Sequence, residues 1–147
     1  MIHIYMGDGK GKTTAAMGLA LRAAGNGWQV VIIQFLKNGK SGELAALTLL
    51  PAIRLISGKS VTKFSFAMTE LEKAETKKRH DGYLWQGAEA CKQNACQLLV
   101  LDESIGAVNK GLLDQAMLDD LLLNYRGTKE IVLTGREPSA ELLAKAD

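Results

Sequence analysis

The chain has 147 residues, enough to bury a core without disulfide or metal staples, and it fits one domain, 1–147. Its 18 basic and 16 acidic residues leave a net charge of +2, too balanced for nucleic-acid or membrane binding by bulk electrostatics. No apolar stretch is long enough to span a bilayer and no signal peptide precedes the first strand pattern, so the expectation is a cytoplasmic protein.

The apolar run 2–6 predicts a first strand. Directly after it comes Gly7-Asp8-Gly9-Lys10-Gly11-Lys12-Thr13-Thr14. Glycines let the backbone turn sharply and bring its N–H groups close to an anion. Residues 13–24 predict a helix with Ala15, Ala16, Leu19, Ala20 and Ala23 on one face, closed by Asn26-Gly27. Residues 30–33 are apolar throughout, as in a parallel strand buried on both faces. A glycine-containing loop, 37–42, leads to a short helix over 43–50 that stops before Pro51, and 53–56 reads as a third strand.

Residues 58–68 read as irregular or extended; if extended, Phe64 and Phe66 face one side. Thr69 and Glu72 form a capping-box pattern that opens a long helix reaching about residue 94. Its charged run, 73–79, reads as a solvated face with Glu70, Glu72 and Glu75 interleaved or adjoining. Cys91 and Cys96 lie five apart, a poor spacing for facing side chains on a helix, and read as small, partly buried residues. His3 and His80 have no partner nameable from sequence and read as structural or solvated. Residues 98–101 form another buried strand pattern and end in Asp102-Glu103. Residues 112–125 read as a helix and 130–133 as a fifth strand leading into Thr134-Gly135-Arg136; Pro138 suits the first turn of a last helix ending near 146.

This alternation predicts an α/β fold: an open, mostly parallel sheet flanked by helices, in a three-layer, P-loop NTPase-like (RecA-like) arrangement. Ligands of such sheets lie at the carboxyl ends of the strands. The glycine loop falls there, with a helix N-terminus behind it, and the pair describes a triphosphate cradle. Lys12 adds a full positive charge and Thr13 a hydroxyl that ligates Mg²⁺. Asp102 and Glu103 follow an apolar strand in the Walker-B manner, and a carboxylate there helps hold Mg²⁺. Gln34 and Lys37 close the second strand, and Arg136 follows the fifth, where it pairs with a phosphate oxygen or with a surface acid. The usual G-x-x-x-x-G-K-[ST] pattern would place its first glycine at Met6; here Gly7 comes one residue late, so the loop is tighter or takes another path. A dinucleotide-binding loop would want an acid at the end of the second strand, and none stands there.

Four segments in register resemble the phosphate-loop type of ATP:corrinoid adenosyltransferase. They are residues 5–16, Gln34-Phe35-Leu36-Lys37, Val100-Leu101-Asp102-Glu103 and Thr134-Gly135-Arg136, and the glycine loop without its first glycine is that family's own variant. The resemblance implies transfer of the 5′-deoxyadenosyl group of ATP to the cobalt of a reduced corrinoid, with triphosphate released. It implies that Gly7, Asp8, Gly9, Lys10, Gly11, Lys12, Thr13 and Thr14 bind the nucleotide, with Gln34, Lys37 and Arg136 beside them. Thr13 with Glu103 then holds Mg²⁺, next to Asp102. Phe64 and Phe66 stand where the family has a Phe and a Trp that help remove the lower axial ligand of cobalt. Phe66 departs from Trp and lacks its indole N–H. The resemblance further implies a homodimer and a reductase or flavoprotein as electron donor, and the family's final strand and tail have no counterpart here. The alternatives are a P-loop ATPase or kinase of another class, and a nucleotide-binding relative without catalysis.

Overall fold

The computed structural model describes residues 1–37, 42–58 and 65–147. The expected loop after Lys37 and the Phe64 position therefore lie largely outside the described residues. Strands β1 (Ile2–Met6), β2 (Val30–Gln34), β3 (Ile53–Ser57), β4 (Leu98–Asp102) and β5 (Glu130–Gly135) form one sheet. Its order is β1-β5-β4-β2-β3, and every pairing is parallel. Helices α1 (Lys12–Gly25), α2 (Gly42–Leu47), α3 (Glu70–Lys92), α4 (Ser104–Asn109), α5 (Gln115–Tyr125) and α6 (Ala140–Leu143) connect and follow the strands.

The three layers follow from strand alternation. Val30 and Ile32 of β2, Leu98 and Val100 of β4 and Val132 of β5 pack with Ala16, Met17, Ala20 and Ala23 of α1 and Leu44 and Leu47 of α2. Their neighbours Val31, Ile33, Leu99, Leu101, Ile131 and Leu133 face the other way, onto α3, α4, α5 and α6. Both faces are covered, so β2 and β4 are buried at every residue. The buried stripe of α1 takes Met17 and leaves Ala15 exposed, a correction of the expected face.

Two other helices differ from expectation. The 112–125 reading merges two things: Leu112 and Leu113 are buried in a turn, and α5 starts only at Gln115. Asp114 caps it, accepting the Met117 N–H at 3.0 Å, while Asp81 Oδ1 accepts the Asp114 N–H at 2.8 Å. Lys77 bridges Asp81 and Asp114 at 2.9 and 3.1 Å, so the charged run of α3 carries a tie to α5 as well as a solvated face. The last helix is shorter than expected: Ser139 caps it through the Leu142 N–H, and Pro138 lies before the cap. The Thr69–Glu72 capping box is present as read. A single 3-10 turn, Ser65–Ala67, precedes it.

The two cysteines are small and buried as read, though fully and not partly. Both thiols are free and buried, and the Cys96 thiol donates to the Leu98 carbonyl at 3.1 Å. The chain leaves α3 through Asn94 in the left-handed region (φ 56°), which returns Cys96 toward Cys91. Helical spacing no longer applies there.

His80 is buried between Phe35 and Tyr83 and donates from Nδ1 to the Leu112 carbonyl at 2.7 Å. Burial pushes its imidazole below the ordinary 6.5, with Arg79 adding to the effect and the Leu112 carbonyl and Asp81 opposing it. The unfolded chain therefore takes up this proton more readily than the fold does. Stability is intact above the unfolded value and declines as pH falls through it. We expect the unfolding free energy in urea to fall between about pH 7 and pH 5, and His80→Gln to flatten that fall; equal slopes would remove His80 as its source.

Gly135 ends β5 at φ 153° against α4. A Cβ there would stand 2.6 Å from Ile105 Cβ and 3.1 Å from the Gly106 nitrogen. We expect Gly135→Ala to cost about 2–3 kcal/mol. Gly18, in open space on α1, should instead gain roughly 0.5–1 kcal/mol as alanine. Urea titrations of both variants check the contrast, which depends on the contact at Gly135.

Candidate active site

The carboxyl ends of β1, β2, β4 and β5 meet in one place. Met6, where the common loop has its first glycine, is the last residue of β1 and pairs with Gly135 of β5. The strand thus runs one residue further and the turn falls to Gly7, at φ 128°. Gly11, at φ 108°, is the N-cap of α1 and offers no side chain to its first-turn N–H groups. Such a terminus favours an anion. Lys12 folds back across the loop and donates to the carbonyl oxygens of Gly7 and Gly9 at 2.5 and 2.8 Å. Asp8 and Lys10 are exposed on the loop. Thr14 Oγ1 lies 3.5 Å from Glu43 Oε1 at the start of α2.

Asp102 is fully buried at the end of β4. Its Oδ1 accepts the Thr13 hydroxyl at 2.9 Å and the Thr134 hydroxyl at 2.7 Å. Its Oδ2 accepts the Gln34 amide at 2.9 Å and the Lys37 ammonium at 3.1 Å. Glu103 is different: its carboxylate is partly exposed, 3.8 Å from Lys37 Nζ. Its backbone sits in the left-handed region (φ 62°), and its N–H donates to Thr134 Oγ1 at 2.9 Å. Lys37 also donates to Thr13 Oγ1 at 2.9 Å.

The structure therefore brings together Thr13, Gln34, Lys37, Asp102 and Glu103, all expected from sequence. Gln34 is buried, and its amide donates to Asp102 Oδ2. Arg136 follows Gly135 and is exposed near the glycine loop; its carbonyl accepts from Asn109 at 3.2 Å. Phe66 is 86% exposed in the 3-10 turn between β3 and α3, and Phe64 lies outside the described residues.

Hard oxygen donors suit Mg²⁺, and Thr13, Asp102 and Glu103 supply only oxygens. A cation already fits among them, because the Lys37 ammonium lies within 2.9–3.8 Å of all three side chains. Among the described residues no three His, Cys, Asp or Glu side chains converge to hold a metal ion, so a divalent cation here would need oxygens besides those of the two acids. A separate cavity of about 310 Å³ lies at the opposite, amino edge, against Arg54, Trp85, Gln86 and Glu89. It shares no residue with this cluster. No described helix is long and apolar enough to cross a membrane.

The family described as ATP:corrinoid adenosyltransferase BtuR/CobO/CobP matches residues 1–147. The chain belongs to this family. It is similar to corrinoid adenosyltransferase CobA of Salmonella typhimurium, 32% identical over 152 residues that cover 100% of this chain and 73% of the relative. The corrinoid adenosyltransferase of Pseudomonas aeruginosa is 28% identical over 155 residues, 100% of this chain and 71% of the relative. That of Escherichia coli is 54% identical over 37 residues, 25% of this chain and 19% of the relative.

In this corrinoid adenosyltransferase family member, sequence reasoning gave Thr134 a place in a motif but no role at the site. The available signal was a hydroxyl at the end of an otherwise apolar strand, level with the acid pair. Its hydroxyl donates to Asp102 and accepts from the Glu103 backbone, so it fixes both acids. Thr134→Val removes both bonds and leaves a buried carboxylate oxygen and an N–H short of partners. We expect a loss of roughly 1–3 kcal/mol, with Thr134→Ser recovering most of it. Chemical denaturation measures both; equal stability of Val and Ser variants would remove the hydroxyl's role.

Proposed function

We propose that this chain transfers the 5′-deoxyadenosyl group of ATP to the cobalt of a reduced corrinoid and releases inorganic triphosphate. One observation carries the reading: the oxygen cluster of Thr13, Asp102 and Glu103 stands beside a glycine loop and helix N-terminus, in a chain of this family. Cob(I) supplies the electron pair, the Co–C bond forms at the 5′-carbon, and the bond from that carbon to the triphosphate oxygen breaks. The leaving group takes that bond's electron pair. The nucleophile carries no proton, so the chain needs no general base.

The protein's task is placement and charge stabilisation. The first-turn N–H groups of α1 and the Lys12 ammonium receive the triphosphate. Lys12 exchanges the Gly7 and Gly9 carbonyls for phosphate oxygens, staying hydrogen-bonded throughout. Arg136 approaches from the end of β5. Mg²⁺, held by Thr13 and Glu103 with Asp102 behind them, would neutralise charge on the leaving triphosphate. Glu103 is the better direct ligand, since both Asp102 oxygens already accept protein donors. Exposed Phe66 offers an apolar face to the corrin ring where the chain passes from β3 to α3, and Phe64 is the second aromatic the family resemblance assigns to that role. The same reading brings in a reductase or flavoprotein to make cob(I), a homodimer as the assembly, and 1–147 as one nucleotide-binding domain.

Anaerobic incubation with ATP, Mg²⁺ and chemically reduced cob(I)alamin tests the reaction. Formation of adenosylcobalamin with inorganic triphosphate is expected. ADP release without a Co–C bond would make the chain an ordinary ATPase. Lys12→Ala should lower the transfer rate by about 100-fold or more with little change in melting temperature. Full activity in that variant would remove the loop from the site.

A further inference from the structure

Lys37 occupies an unusual place. Its ammonium lies 2.9 Å from Thr13 Oγ1, 3.1 Å from Asp102 Oδ2 and 3.8 Å from Glu103 Oε1. These are the three side chains that the proposed function assigns to the divalent cation. A lysine ammonium and a divalent ion are both compact, strongly hydrated charges that seek oxygen. Two such cations do not share one set of three oxygens.

The backbone sends the lysine there. Leu36 adopts φ 57°, a left-handed conformation unfavourable for a residue of its kind, and turns the chain at the end of β2. Its side chain packs against the core, near where a Cβ on Gly106 would stand, so the turn is held by burial. The Lys37 side chain is 38% exposed, which gives its ammonium an open route away from the carboxylates. Asp102 does not depend on the lysine alone, because Gln34, Thr13 and Thr134 stay bonded to it.

We propose that Lys37 is a tethered counter-ion that fills the divalent-cation position in the nucleotide-free protein and is displaced when the metal–nucleotide complex binds. The proposal rests on the assignment of Thr13, Asp102 and Glu103 to the cation. It makes free metal a weak ligand of the protein. It also gives the displaced ammonium a new partner, the triphosphate that arrives with the metal. Metal and nucleotide binding are thereby coupled through one side chain.

The test uses Mn²⁺ alone, followed by its free-ion electron paramagnetic resonance signal, on the full chain without nucleotide. If Lys37 holds the position in nine molecules of ten or more, its removal tightens Mn²⁺ binding by about ten-fold or more. Lys37→Met should show that gain, and Lys37→Arg, which keeps a cation on the tether, should stay weak. Equal Mn²⁺ affinity in wild type and Lys37→Met would overturn the proposal. Repeating the titration with ATP on Glu103→Gln and Asp102→Asn separates the two levels. Weaker Mn²⁺ binding in those variants, with Lys37→Met unchanged from wild type, removes only the lysine's role. Unchanged binding in both removes the cation site and the proposal with it. Tightened Mn²⁺ binding in Lys37→Met, together with no adenosyl transfer by the wild-type chain, would overturn the reaction and leave this inference standing.

Discussion

The buried carboxylate of Asp102 is the constraint around which the carboxyl edge is built. Taking an ionised carboxylate out of water costs several kcal/mol unless donors and opposite charge replace the solvent. Four donors do so here, two on each oxygen. They come from α1, β5, β2 and the residue turn after β2. This requires sheet topology: β4 lies between β5 and β2, so its last residue is the one that side chains from both neighbours can reach. Through Thr13 the same carboxylate anchors the first turn of α1, and with it the glycine loop. A shift of β4 would therefore be felt in the loop, although no bond joins them directly.

Backbone strain collects at this edge. Gly7 after β1, Leu36 after β2, Glu103 after β4 and Glu137 after β5 all have positive φ. The three non-glycine residues each forgo roughly 1–2 kcal/mol relative to a right-handed conformation. The sheet behind them can bear it: Ile32, Ile33, Leu99, Leu101 and Leu133 are fully buried, and each such side chain contributes about 1.5–3 kcal/mol. Strain of this kind persists only where the surroundings over-determine it, and it gathers where side chains must point at a ligand. At Glu103 the link is explicit. The left-handed turn lets α4 begin at once, so Gly135 is pressed against Ile105 while the Glu103 carboxylate stays at the rim.

What the sequence made legible was whatever depends on local pattern. Five strands stood out as apolar runs of the right length, and the glycine loop and the acid pair read as lying at the carboxyl edge, where the structure has them. Non-local features escaped. The six residues of α4 are too short to show a helical period, and they contain Gly106. Leu112 and Leu113 looked like the start of a helix, but they are buried in a turn before α5, next to the Lys77–Asp81–Asp114 tie to α3. Cys91 and Cys96 are both buried because the helix ends between them and the chain turns back into β4. Gln34 read as a residue at the ligand edge, but that its amide donates to a carboxylate 68 residues away did not show. Thr134 was read only as part of a motif and given no role at the site for the same reason, its partner being 32 residues off.

The two lysines of the site share a logic that the geometry makes visible. Each ammonium is already hydrogen-bonded by oxygens of the protein: Lys12 by two loop carbonyls, Lys37 by a hydroxyl and a carboxylate. Neither is left to order itself when a ligand comes, and the rotamer freedom of a lysine, up to about 2 kcal/mol, is largely spent in advance. The partners differ in consequence. Carbonyls released by Lys12 are neutral and lie on an exposed loop that water can reach, so that exchange is mild. Asp102 is buried and keeps the Gln34, Thr13 and Thr134 donors when Lys37 leaves, and on the proposed reading the incoming cation replaces the lysine's charge. On the proposed reading, the loop alone would accept a bare triphosphate, whereas the acid pair accepts only the metal-bound form.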